Sequence, residues 1–257
     1  MPTLHRITIF PIKAFEGHPL QRAEVLPSGA LLGDRRFALQ DSSGKFISGK
    51  NCESIHRVRA QYADDLESVT LSCAGSEETF ALEVGNRSLA VWFAQLLGVS
   101  CKLVENTSGG FPDDCDSPGP TLISTGSLAE VARWFPEFDL EEARHRFRMN
   151  LEVHSKLPFW EDRLVAAPTA ESRFRVGDTV WRGCGICRRC VVPSRNARDG
   201  ARIANFAREF SRRRAETLPE WSPQERFDHF YRLGVNTALD SLGKRGFLGI
   251  GDLVEAI

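Results

Sequence analysis

The sequence predicts a mainly β protein with helices added, in two consecutive parts. Three observations predict it. Runs rich in β-branched and aromatic residues recur at 4–12, 36–48, 146–154, 173–183 and 187–193. Helical spacing of apolar residues is confined to short windows. Between two β-rich portions lies "ENTSGGFPDDCDSPGP", 105–120, a loop composition that marks a junction. The two parts are placed at 1–112 and 113–257.

The first strand is "LHRITIFPI", 4–12, and "RFALQDSSGKFIS", 36–48, reads as two strands around an Asp-Ser-Ser-Gly turn. In "NRSLAVWFAQLLG", 86–98, Leu89, Phe93, Leu96 and Leu97 share one helical face, with Asn86 or Ser88 as N-cap and Gly98 as the stop. After the loop, Ser127 and Glu130 of "STGSLAEVARWF" fit a capping box. "RFRMNLEVH" (146–154), "RFRVGDTVWRG" (173–183) and "CRRCVVP" (187–193) read as strands. A helix is expected over 200–216, and another at "SPQE", 222–225, where Ser222 caps, Pro223 opens and Glu225 closes the box. The chain ends on "FLGIGDLVEAI", a Gly-punctuated strand pair placed to close a sheet or barrel.

Composition excludes some classes of function. Of 257 residues, 42% are hydrophobic and 26% charged, ordinary for a soluble globular protein, and 33 Lys and Arg against 34 Asp and Glu leave no overall field to recruit nucleic acid or an anionic membrane. Any anion site must be a local cluster. "MPTLHRITIF" lacks the pattern of a signal peptide, and no apolar run approaches the ~20 residues of a membrane span, so the expected compartment is the cytoplasm. Seven cysteines, an odd number sparsely placed, are expected to be reduced, which makes a close cluster metal-binding or reactive.

That cluster is "GCGICRRCVVP", 183–193, with Cys184, Cys187 and Cys190 at three-residue intervals. On a strand, alternation sends Cys190 and Val192 to one face and Cys187 and Arg189 to the other, so the thiols do not converge on one ion. Structural zinc needs four ligands, usually two pairs, and no second pair is present. The spacing resembles the start of a ferredoxin pattern, but Val191, Val192 and Pro193 stand where a fourth cysteine and proline belong. A single thiolate beside Arg188 and Arg189 would be a soft metal ligand or a nucleophile. Buried, inert cysteines fit the spacing equally well, and spacing alone leaves both readings open.

"LHRITIFPIKAFEGHPLQRAEVLPSGALLGDRRFALQDSSGKFIS", "RFRMNLEV", "PFWEDR" and "CRRCVVPSRNARDG", in this order, resemble the MOSC superfamily, named for the C-terminal domain of molybdenum cofactor sulfurase. Within it they resemble the group of the mitochondrial amidoxime-reducing component and its bacterial counterparts. The resemblance covers essentially the whole chain. It implies an N-terminal β-barrel domain followed by a MOSC β-barrel domain with peripheral helices. It also implies a molybdenum–molybdopterin cofactor and a reductase of N-hydroxylated or N-oxide compounds, independent of pyridoxal phosphate. By the same resemblance Cys190 is the catalytic metal ligand and Arg189 its cofactor-contacting neighbour. Lys13 and Arg35 contact the pterin phosphate, with Ala14 at the family's serine, and Arg148, Asn150, Asp116 and Ser117 contact the cofactor.

Three departures stand out: Ala14 lacks the serine hydroxyl, "FRMN" replaces "FRPN", and "NARDG" replaces "DPDTG". They bear on substrate identity more than on cofactor binding. Taken one by one, the basic residues read equally as solvated surface charges. Glu161 and Asp162, adjacent on a presumed strand, would point opposite ways, and neither is assigned a catalytic role. With no dinucleotide fingerprint, electrons are expected from a separate flavin or iron–sulfur reductase, for which "REFSRRR", 208–214, offers a basic docking face. The rival reading is a cofactor carrier or sulfur-transfer protein without turnover. Behind it stand an iron–sulfur or zinc module and a purely structural protein.

Overall fold

A computed structural model of the chain describes residues 1–168, 170–240 and 246–257. Its strands are β1 (Thr3–Ile9), β2 (His18–Leu20), β3 (Arg22–Glu24), β4 (Phe37–Asp41), β5 (Phe46–Ile47), β6 (Arg59–Tyr62), β7 (Ser68–Cys73), β8 (Ser76–Ala81), β9 (Cys101–Glu105), β10 (Leu122–Ser124), β11 (Leu151–His154), β12 (Arg173–Val176), β13 (Thr179–Arg188), β14 (Arg232–Leu239), β15 (Phe247–Gly249) and β16 (Val254–Ala256). The helices are α1 (Arg87–Leu97), α2 (Thr125–Trp134), α3 (Leu140–Phe147) and α4 (Phe206–Glu216). The fold is mainly β with helices added, as the sequence predicts.

The largest sheet has the order β16-β12-β13-β14-β10-β11-β1-β2 and takes strands from both sides of residue 112. Three smaller sheets, β15-β3, β5-β4-β9 and β6-β7-β8, complete the β structure. The expected closure into barrels is not met: among the described residues no sheet closes as a continuous ladder. The C-terminal strand pair does return to the first strand, through an isolated Thr3–Leu253 bridge. There the Leu4 N–H donates to Asp252 C=O at 2.8 Å and the Val254 N–H to Pro2 C=O at 3.0 Å. β1 divides its edge between that contact and β2, which pairs only with Ile7–Ile9, so the ladder does not run through.

Among the described residues three large apolar cores form, beside a small cluster of Val165, Ile186 and Val235. One lies within the N-terminal portion, from Ile12 to Leu103. A second joins β1 and the Ala23–Leu31 segment to the strands after residue 120. The third packs α2, α3 and α4 over Ile123 and Leu233, with Phe135, Phe206 and Phe210 at its centre. α1 follows the sequence reading: the Asn86 side chain accepts from Leu89 N–H, Leu89 and Phe93 are buried, and Gly98 ends the helix in a left-handed conformation. The Asp41 turn also forms, its carboxylate accepting from the Ser43 and Lys45 N–H groups.

Several local readings are corrected. Ser124, not Ser127, caps α2, and Glu130 bonds Arg133 and Trp134 instead of closing a box. Residues 146 and 147 end a helix: Asp139 caps α3, Glu142 pairs with Arg146 one turn on, and β11 starts only at Leu151. β13 stops at Arg188, and Val192–Ser194 form a short 3-10 turn, so Cys190 is not on a strand. α4 begins at Phe206 because an Arg195–Arg202 bridge and a left-handed Asn205 occupy the preceding residues. No helix starts at Ser222; only Gln224–Arg226 turn, and the Ser222 hydroxyl donates to Asp162 instead.

Glu161 and Asp162 lie in a 3-10 helix, Trp160–Leu164, and both are buried. Glu161 accepts from Ser124 N–H and the Ser127 hydroxyl. Asp162 pairs with Arg214, whose guanidinium stacks 3.7 Å from the Phe159 ring centroid. Within the basic run 208–214, Arg214 faces the core, while Arg212 and Arg213 stay part-exposed and pair with acidic residues of α4. Removing one member of a buried ion pair strands the other charge at about 3–5 kcal/mol. Asp162→Ala should lower unfolding stability by that order in urea titrations, with little change on adding salt, because the buried pair is poorly screened.

Candidate functional site

One cavity of about 890 Å³ collects every residue singled out for a site: Lys13, Ala14, Arg35, Asp116, Ser117, Arg148, Asn150, Arg189 and Cys190. Its lining holds twelve Lys and Arg side chains against six Asp and Glu, so a chain of nearly zero net charge encloses a cationic cleft.

Lys13 and Ala14 belong to a tight turn that follows β1. An Ile12–Phe37 bridge anchors it, the Phe15 N–H donates to Ile12 C=O at 3.1 Å, and Ala14 takes φ 76°. Among the described residues no acceptor meets the Ala14 N–H. Lys13 Nζ donates to Phe111 C=O at 2.8 Å and to Asp113 Oδ1 at 2.7 Å, and Lys50 approaches the same carboxylate at 3.3 Å. Partial burial would raise the Asp113 carboxyl, but Lys13, with Lys50 and Arg35 further out, holds it well below the usual range. The loop reaches down here because Gly110, at φ 67°, lies where a Cβ would stand 2.3 Å from Asp34 C=O.

Arg35 also has a left-handed backbone, φ 49°, and pairs with Asp34. Asn150 locks this corner. Its side-chain oxygen accepts from Arg35 at 3.3 Å and from the Thr121 N–H and hydroxyl at 3.1 and 3.0 Å. Its amide nitrogen donates to Thr8 C=O and Asp34 Oδ1. Asn150 therefore lines the cavity with its amide already engaged, holding Arg35 in place.

Arg148 terminates α3 in the left-handed conformation, φ 52°, which turns its guanidinium over the Phe10 ring at 4.2 Å. Among the described residues it has no carboxylate or hydrogen-bond partner for its side chain. Burial, and then the charge of Arg35, lower its pKa to about 10, which still leaves it cationic at neutral pH. Arg189 donates to Phe147 C=O at 2.6 Å and lies 3.6 Å from Met149 Sδ, while its Nε is buried without a partner among the described residues. Its backbone N–H donates to Tyr231 C=O, and the Tyr231 hydroxyl donates to Cys190 C=O at 2.9 Å. β14 and the residues before it thus fix the Cys190 backbone and leave its half-buried thiol on the cavity wall.

The even cysteine spacing has a structural meaning. The β13–β14 register slips between Gly183 and Gly185 and again between Ile186 and Arg188, so Cys184 and Cys187 each fall at an irregularity. Cys187 is buried and donates to Asn236 Oδ1 at 2.7 Å; Asn236 in turn donates to Asp114 at 2.9 Å. Burial, reinforced by the Glu161 and Asp114 charges against that of Arg189, pushes its thiol up to about 12. Among the described residues no three His, Cys, Asp or Glu side chains are placed to hold an ion together.

Asp116 and Ser117 sit on the cavity loop, Asp116 exposed with its N–H donating to Asp114. Sequence reasoning missed Asp113, Asp114, Asn236, His56 and Arg195 on this wall. The acidic pair in "PDDCD" was visible, but its partners Lys50, Lys13 and Asn236 lie far off in sequence.

Fold and cavity together define a mainly β protein organised around a cationic, thiol-bearing cleft. The family model of the MOSC N-terminal beta barrel domain matches residues 1–138, and the chain belongs to that family. It is also 25% identical to a molybdenum cofactor sulfurase of Arabidopsis thaliana, over 74% of this chain and 28% of that protein. The chain therefore spans little more than a quarter of that relative. Among the described residues no helix is long and apolar enough to cross a membrane.

At pH 8 a thiol of pKa about 12 is ionised to roughly one part in ten thousand. Iodoacetamide at that pH should label the exposed Cys115 while sparing Cys187 in the folded protein, as read by peptide mass spectrometry.

Proposed function

We propose that this protein holds a molybdenum–molybdopterin cofactor in the cavity and reduces small N-hydroxylated or N-oxide compounds with electrons from a separate flavin or iron–sulfur reductase. One observation carries the reading: Lys13, Arg35, Arg148 and Arg189, from four separated stretches, line the same cavity as the Cys190 thiol. Such a cofactor brings a phosphate and a soft metal. Arginines suit the first and a thiolate the second.

The fit rests on groups left free within the protein: the unpartnered Arg148 guanidinium, the buried Arg189 Nε and the unmet Ala14 N–H. In this assignment Cys190 is the metal's protein ligand. Lys13, the Ala14 N–H, Arg35 and Arg148 hold the phosphate end, and Arg189 lies beside the ligand. Asp116 and Ser117 close over the cofactor from the loop, and Asn150 positions Arg35. When bound, the cofactor supplies a two-electron couple suited to removing oxygen from an N–O bond. The chain orients Cys190 through Tyr231, keeps Cys187 protonated so that it does not compete for the metal, and surrounds the substrate with fixed cations.

A second reading has its own support in the sulfurase relative and in the four thiols on the wall, Cys115, Cys184, Cys187 and Cys190. In it Cys190 carries cofactor or sulfur without turnover. Protein from a host that makes the cofactor should contain near-stoichiometric molybdenum and pterin. Loss of a ligand should cost Cys190→Ala at least about tenfold in bound metal, while Cys184→Ala keeps its metal. Reduction of amidoximes by the loaded protein with a chemical reductant supports the reductase. Metal without reduction supports the carrier, and iron or zinc in place of molybdenum overturns both.

A further inference from the structure

The segment 48–60 and the loop 190–202 meet at His56. Its Nε2 lies 3.4 Å from Gly49 C=O, and a Cβ on Gly49 would stand 2.8 Å from that nitrogen and 3.4 Å from Val192 Cγ2. On the far side, Gly200 leaves room for Glu53 and for the His56 Cβ. His56, Arg59, Arg148, Val192 and Arg195 all line the cavity that holds Cys190.

The charges that act on the imidazole are those of Arg195, Arg148 and Arg59. Arg195 is paired with Glu53, on the same turn as His56, at 3.2 Å, and Arg59 with Glu16 at 2.6 Å. Among the described residues Arg148 has no such partner, and Arg195, 4% exposed, keeps an unpartnered Nε. Three guanidinium groups thus meet two carboxylates around a ring in a cavity. Burial, with the three arginines, keeps His56 below the usual histidine pKa against the opposing pull of Gly49 C=O. An anion would reverse this balance and draw a proton onto the ring.

We propose that His56, Arg148 and Arg195 form an oxyanion-binding subsite on the wall of the cavity. Its ligand is a carboxylate, sulfate or phosphate group, from the acidic tail of a small substrate or from the phosphate of the cofactor. As a substrate subsite it rests on the functional reading above; as an oxyanion site it does not.

Sulfate is the probe, because its charge stays constant over the range of about pH 5 to 8 where histidine titrates. Sulfate should bind the cofactor-free protein more tightly as pH falls through the His56 titration. The gain is about tenfold for each unit by which sulfate raises the His56 pKa. The His56 imidazole resonances of the wild-type protein should report that rise, and His56→Gln should bind sulfate without the pH dependence. A His56 titration unmoved by sulfate, or matching pH profiles in wild type and a folded His56→Gln, overturns the subsite; the wild-type resonances suffice if the variant does not fold. With cofactor-loaded protein, a persisting sulfate effect assigns the subsite to a substrate's tail. A rise caused by loading itself, with sulfate then excluded, assigns it to the cofactor phosphate. Failure to load molybdenum overturns the functional reading and leaves the sulfate result standing.

Discussion

The amide of Asn150 is the constraint on which the site depends. It joins β1 through Thr8, the Asp34–Arg35 turn, and the start of β10 through Thr121, three segments far apart in sequence. Asp34 in turn accepts from the Phe10 N–H at 2.8 Å. The two residues before Asn150 have other tasks: Arg148 reaches over Phe10, and Met149 touches Arg189. A buried amide with all its positions used fixes geometry in a way apolar packing alone does not. Side chains from both portions of the chain therefore meet with little freedom to drift.

Around that knot the protein separates two kinds of chemistry. On one wall, cations are crowded and only partly neutralised, and Asp113 reaches in from the loop to hold Lys13 and Lys50. On the other, Cys187 is turned into a neutral hydrogen-bond donor by burial, leaving the half-buried Cys190 thiol, next to Arg189 in sequence, on the cavity wall. Asn236 and Asp114 link the walls, so the loop contacts both through successive aspartates. Local charge, not net charge, gives the cleft its character.

Much of this was legible in the sequence, and the rest was hidden for physical reasons. Alternation and turn chemistry located β1, β4, β5 and α1, because each is governed by neighbours in sequence, whereas the single strand read over 173–183 is a hairpin of β12 and β13 that turns at Gly177. The residues of the candidate site were legible only through family resemblance, since nothing local to Lys13 or Arg35 tells a ligand from a solvated charge. Misreadings arose where a tertiary partner overrode the local pattern. Arg146 and Phe147 alternate like a strand but complete α3, where Glu142 and the aromatic core hold them. "REFSRRR" looks solvent-facing, yet Arg214 turns inward to Asp162, an acid fifty-two residues away. His56 carried no signal at all, because its charged neighbours come from β6 and from loops beyond residue 147.

Two of the site's cations, and the turn beside a third, are mounted on an uncomfortable backbone. Ala14, Arg35 and Arg148 all occupy the left-handed region, where a residue with a Cβ loses about 1–2 kcal/mol. Glycine would relieve that cost at each, so a programme that ranks single substitutions by thermal stability has reason to pick these positions early. At Arg35 and Arg148 it would trade charge for comfort and strip the cleft of two of its cations. At Ala14 the exchange leaves the backbone N–H in place, which makes that turn the one point where robustness and ligand holding are not in competition.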